Sequence, residues 1–173
     1  MTQTIQPYFS TKLSENIALL HTLLPLNQSF DLITRDLYLG DTKAFWLGIN
    51  GFCKTEILQQ IFSDLQNPLY TQDAKVDNLS YYVQSKLGYA QVALTSSVDE
   101  LLQNVLSGPS VLLVDGFAQA VIIDVRTYPV RGISEPDNEK ITRGARDGFV
   151  ETLLFNTNLI RRRVRSRELT FSI

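Results

Sequence analysis

Two short apolar runs, residues 110–114 and 120–125, meet around Asp115-Gly116 and constrain this chain more than any other feature. Runs of this length rich in Val, Ile and Leu read as strands, and Asp-Gly between them is a strong turn signal. Just upstream, Ser97-Val98-Asp99-Glu100 has the spacing of a capping box. Ser97 can accept from the backbone N–H near Glu100, and Glu100 can reach back to the start of the helix. The helix opened there buries Val98, Leu101, Leu102, Val105 and Leu106 on one face and ends at Gly108. A strand over residues 89–95 precedes it. The order β-α-β-β predicts an α/β fold, a mixed β-sheet flanked by helices.

The first half supplies the remaining elements. Leu13, Ile17, Leu20 and Leu24 recur at helical spacing and predict a helix over residues 12–24, stopped by Pro25 and Asn27. Residues 30–39, where a helix could also be written, and 43–49 read as a hairpin around Gly40-Asp41, the second strand buried on both faces. Asn50-Gly51 breaks it, and amphipathic helices follow over 54–65 and 76–87, with Gly88 placed as a C-terminal cap. Residues 1–11 are expected to be a disordered or loose lead-in and 12–165 an α/β domain, either one unit or two lobes meeting near 88. Residues 166–173 are expected to start a linker to a missing remainder of the protein.

Beyond residue 125 the texture changes. Tyr128-Pro129, Gly132 and Glu135-Pro136-Asp137 cannot continue regular structure, so residues 126–146 read as a loop of alternating charge. A last, Arg-rich amphipathic helix is predicted over 147–165. Asp147 would cap it, and Phe149, Val150, Leu153, Leu154, Ile160 and Val164 would form its buried stripe. Residues 1–125 hold six Lys+Arg against twelve Asp+Glu, whereas 126–173 hold ten against six, including nine of the ten arginines. Such asymmetry implies that the last segment faces something the rest does not. Clustered arginines can neutralise nucleic-acid phosphates or an anionic membrane surface. They can also offset a helix dipole and pair with Glu135, Asp137, Glu139 and Asp147. The acidic remainder and the lack of an aromatic platform count against nucleic acid, and the plain helix-end reading leads on physics alone.

No enzyme signature accompanies these elements. The chain has 173 residues, 44% of them apolar, enough for one ordinary domain without disulfides. No window reaches the roughly 18–20 apolar residues of a membrane span, and no signal peptide is visible, so a soluble, non-secreted chain is expected. The lone Cys53 and lone His21 exclude a disulfide framework and a multi-histidine zinc site, and both read as structural. Asp115 and Asp124 read as turn and strand-end residues before they read as paired acids. Gly144-Ala145-Arg146-Asp147-Gly148 follows neither phosphate-binding spacing. No catalytic residue, metal or cofactor is expected.

The segment from Val111 onward carries a longer pattern. The D-G turn at Asp115-Gly116 is followed by Arg126 and Arg131, then by E-P-x-x-E at Glu135, Pro136 and Glu139. R-G-x-R-x-G-F-x-E follows at Arg143, Gly144, Arg146, Gly148, Phe149 and Glu151, and N-x-x-L-I-R-R-R runs from Asn156 to Arg161, Arg162 and Arg163. This pattern resembles the GerA family of spore germination proteins, the A-subunit type of germinant receptor. Ala145, where many members have proline, makes it similar to the stage V sporulation AF-like branch. The resemblance implies a soluble N-terminal α/β domain of a membrane protein in the spore inner membrane, on the core side. It implies a non-enzymatic signalling and assembly role in an ion-releasing complex, with other germination subunits as partners and a homo-oligomeric full-length form. It implies contact with the membrane through a missing transmembrane region, and no nucleic acid. The motif residues are the candidate interaction site. A small-molecule, germinant-sensing domain is the alternative.

Overall fold

The computed structural model describes residues 8–67, 76–127 and 149–173. Its elements, in chain order, are α1 (Leu13–Leu23), β1 (Leu32–Leu39), β2 (Thr42–Ile49), α2 (Thr55–Gln66), α3 (Leu79–Lys86) and β3 (Gln91–Thr95). Then come α4 (Val98–Ser107), β4 (Ser110–Val114), β5 (Ala120–Asp124) and α5 (Leu153–Arg163). Five strands make one sheet in the order β1-β2-β4-β5-β3.

The α/β class and the flanking helices are as the sequence predicts. The sheet itself is antiparallel at every adjacent pair, where a mixed sheet was expected. The reason lies in one insertion. β3 and β4 run parallel and are joined by α4, the crossover read from the sequence, but β5 turns back at Asp115-Gly116 and inserts between them. Each parallel neighbour is thereby replaced by an antiparallel one. β2 pairs with β4, so residues before and after 88 share this sheet.

Burial on both faces explains the unbroken apolar runs of the central strands. Phe45, Leu47, Val111, Leu113 and Ile122 point to the side covered by α1 and α4. Trp46, Leu112, Val114, Val121 and Ile123 point to the side covered by α2 and α3. The period-two alternation thus serves two cores at once, in a helix–sheet–helix sandwich. Trp46 meets Phe62 of α2 edge-on, with ring centroids 5.2 Å apart.

The caps tie distant parts of the chain together. Asp115 Oδ1 accepts from the Leu13 N–H at 2.9 Å, so the β4–β5 turn satisfies an orphan amide at the start of α1. Gly116, with φ +90, donates its N–H to the Thr11 carbonyl. Nearby, Phe9 is buried and Tyr8 bridges Ser97. At α4, Ser97 Oγ accepts from the Glu100 N–H as the capping box requires. Glu100 does not reach back to Ser97. Its carboxylate accepts from Thr95 Oγ1, which in turn accepts from the Ser97 N–H, so the last residue of β3 relays the second half of the box.

Candidate interaction surface

The approach to α5 is set by one side chain. Asn156 accepts the Val150 N–H at 2.8 Å and donates to the Val150 carbonyl at 2.6 Å. This bend keeps residues 149–152 out of the helix, which begins at Leu153 and not at 147 as expected. Thr152 holds the N-cap position, and Asp147 lies outside the described residues.

The helix then packs the opposite way from its apolar pattern. Its buried residues are Thr157, Asn158 and Arg161, while Leu153 and Val164 of the expected buried stripe are exposed and Leu154 and Ile160 are half-buried. Asn158 and Leu154 sit on the Asn50-Gly51 turn. Gly51 adopts φ +80, and a Cβ there would lie 2.4 Å from Asn158 Nδ2. Only glycine meets both the backbone and the close approach.

Arg161 explains the inversion. It is fully buried and makes a bidentate pair with Asp31, also fully buried: Nε to Oδ2 at 2.7 Å and Nη2 to Oδ1 at 3.0 Å. Nη1 also donates to the Ser166 carbonyl at 3.1 Å and Nη2 to the Leu169 carbonyl at 2.8 Å. The guanidinium lies 5.2 Å from the centre of the Phe171 ring. Ser29 Oγ donates to Asp31 and accepts the Phe171 N–H, and the Phe30 N–H donates to the Phe171 carbonyl. A buried guanidinium needs this many partners, since each unmet donor would carry its full desolvation cost. Residues 166–171 therefore fold back against residues 29–31.

What faces outward is apolar and basic together. Phe149, Leu153, Phe155 and Val164 are exposed, Phe149 at 71%. Arg162, Arg163, Arg165 and Arg167 are exposed beside them. Of the candidate motif residues, Arg161 and Asn156 are turned to internal bonding, whereas Phe149, Glu151, Arg162 and Arg163 stay at the surface. Arg131, Glu135, Pro136, Glu139, Arg143, Gly144, Arg146 and Gly148 lie outside the described residues. Ser29 and Asp31 fall outside every motif the sequence offers. An acid wedged between Phe30 and Leu32, at the head of β1, is the available signal.

The other titratable candidates have structural places. His21 is exposed on α1. Burial pushes the Cys53 thiol up to about 11, which keeps it protonated at neutral pH. Asp124 pairs with Arg126 at 2.7 Å. A shallow groove of about 450 Å³ runs between Glu56, Ile57 and Gln60 of α2 and Tyr89, Asp124 and Arg126 at the strand ends. Among the described residues no three His, Cys, Asp or Glu side chains gather to hold a metal, and no helix is long and apolar enough to cross a membrane.

The family model for the Bacillus/Clostridium GerA spore germination protein matches residues 21–173. The chain belongs to the GerA family. It is 39% identical over 144 residues to stage V sporulation protein AF of Bacillus subtilis (strain 168), covering 83% of this chain and 29% of that protein. It is 32% identical to the membrane protein YfkQ of the same organism, over 92% of this chain and 31% of that protein. Spore germination protein B1, also from Bacillus subtilis, is 32% identical over 80% of this chain and 29% of that protein. The chain thus spans about three-tenths of the length of these curated relatives. Its fold is similar to the crystal structure of the N-terminal domain of the A subunit of the Bacillus megaterium spore germinant receptor GerK3. The TM-score there is 0.72 at 20% identity, over 97% of this chain and 60% of that one. The GerA expectation, the α/β fold and the likeness to an A-subunit N-terminal domain stand.

Proposed function

We propose that this chain is a non-enzymatic signalling and assembly domain of a membrane-bound spore germination complex, lying on the core side of the spore inner membrane. Its partners are other germination subunits, and the full-length protein is a homo-oligomer in an ion-releasing assembly. One observation carries this reading: α5 turns Thr157, Asn158 and Arg161 inward and presents Leu153, Phe155, Arg162 and Arg163 outward. Apolar surface rimmed by guanidinium groups is the composition of a contact surface, since aromatic and arginine side chains supply most of the energy at interfaces. Family membership and the membrane-protein relative agree with it.

Reversing Arg162 and Arg163 to glutamate in the full-length protein tests the proposal. Loss of complex assembly and of germination, with the melting temperature of the isolated domain unchanged, is the expected result. Normal assembly and normal germination would overturn it. The alternative, germinant sensing, has its physical footing in the groove beside Asp124 and Arg126, where carboxylates and a guanidinium flank Ile57. A saturable thermal shift with one amino acid, sugar or nucleoside, lost in Arg126→Ala, would favour that reading instead.

A further inference from the structure

We infer that α5 and residues 164–171 form a detachable arm, latched onto the sheet by the buried Asp31–Arg161 pair. Both apolar cores are built without this segment: no apolar residue of 149–173 is buried, and its buried residues are Thr157, Asn158 and Arg161. The hydrophobic effect, which fastens α1 to α4 to the sheet, contributes less to this seat, where Leu154, Leu159, Ile160, Leu169 and Phe171 are only half-buried. Docking instead converges on one guanidinium. Arg161 bonds Asp31 on the sheet side and the Ser166 and Leu169 carbonyls on the arm side. Ser29 adds a second stitch through the Phe171 N–H.

A buried ion pair behaves as a latch because its two states differ sharply. Intact and fully bonded, it roughly offsets its own desolvation; with one partner gone, the other is a lone buried charge. Partial opening is therefore disfavoured, and the arm is either seated or released into water that hydrates both ions. The seat also carries a built-in cost. Asn158 Oδ1 is buried without a hydrogen-bond partner, and release would hydrate it. The latch positions the outer face of α5: while Arg161 is held inward, Phe155, Arg162 and Arg163 are exposed. The biological use of this device rests on the assembly reading above; the latch itself does not.

Hydrogen exchange of the 173-residue chain followed by mass spectrometry tests it. In Arg161→Ala and Asp31→Asn, amides of 153–163 should exchange at least about tenfold faster, while 111–114 and 120–123 keep wild-type protection. Trypsin should cut after Arg162 to Arg167 faster in these variants than in the wild-type chain. Ser29→Ala, which removes one stitch without stranding a full charge, should show the same pattern at smaller amplitude. Arg161→Lys, which cannot fork to Asp31 and two carbonyls together, should fall between. Equal loss of protection in sheet and helix, in the Ser29 variant as well as the charge variants, would mean that the pair is simply part of the fold. An unchanged α5 would remove the latch altogether. Normal germination in the Arg162/Arg163 reversal would sink the assembly reading and leave this exchange pattern as it is.

Discussion

β4 and α5 are held to the molecule by opposite means. Every residue of β4 is buried, its alternate side chains feed two cores, and its neighbours on both edges are strands. α5 buries a threonine, an asparagine and an arginine, and leaves leucine and phenylalanine in water. Non-directional burial makes the first region indifferent to any one hydrogen bond. Directional bonding makes the second depend on a few atoms at fixed distances. The difference separates a scaffold from an element that can be presented or withdrawn.

The largest expected effect lies on the scaffold side. Leu112, fully buried between α2, α3 and the sheet, should cost about 2–5 kcal/mol on truncation to alanine. Urea unfolding followed by Trp46 fluorescence and by circular dichroism should shift together. Separate shifts would show that the two cores do not melt as one. A smaller effect, confined to the arm, is expected for Gly51→Ala. Strain at φ +80 and the clash with Asn158 should cost about 1–3 kcal/mol. Exchange should rise in α5 while β4 keeps its protection. A uniform loss would blur the contrast between the two regions.

The smallest effect concerns Cys53, in the loop between β2 and α2. Burial penalises the thiolate and pushes the folded-state thiol up to about 11 from an ordinary value of 9. The native state thus holds the proton more tightly than the unfolded chain does. Any stability this contributes is fully present below about pH 9 and is lost as pH rises through about 11. Iodoacetamide labelling of this single cysteine should keep accelerating with pH up to about 11. A plateau near 9 would show that the loop opens freely.

Much of the frame was legible in local signals. The hairpin at Gly40-Asp41, the α4 helix between Ser97 and Gly108, and the two strands around Asp115-Gly116 each announce themselves within ten residues or so, through periodicity and turn chemistry. The strand order was not legible. Inserting β5 between β3 and β4 is a choice among pairings of similar apolar runs, and nothing in a run names its neighbour. The long family motif pointed to the germination proteins without revealing which of its residues face a partner.

Arg161 shows where the boundary falls. Its place among three consecutive arginines gives no hint that it alone is buried, because helical periodicity read from Leu153, Ile160 and Val164 puts a different stripe inside. The sequence by itself determined the elements, the α/β class and the family. Only the tertiary structure decided that α5 faces polar side inward, since that outcome depends on Asp31, 130 residues away in sequence. Local pattern reports what a segment can bury; the partner brought to it by the fold decides what it does bury.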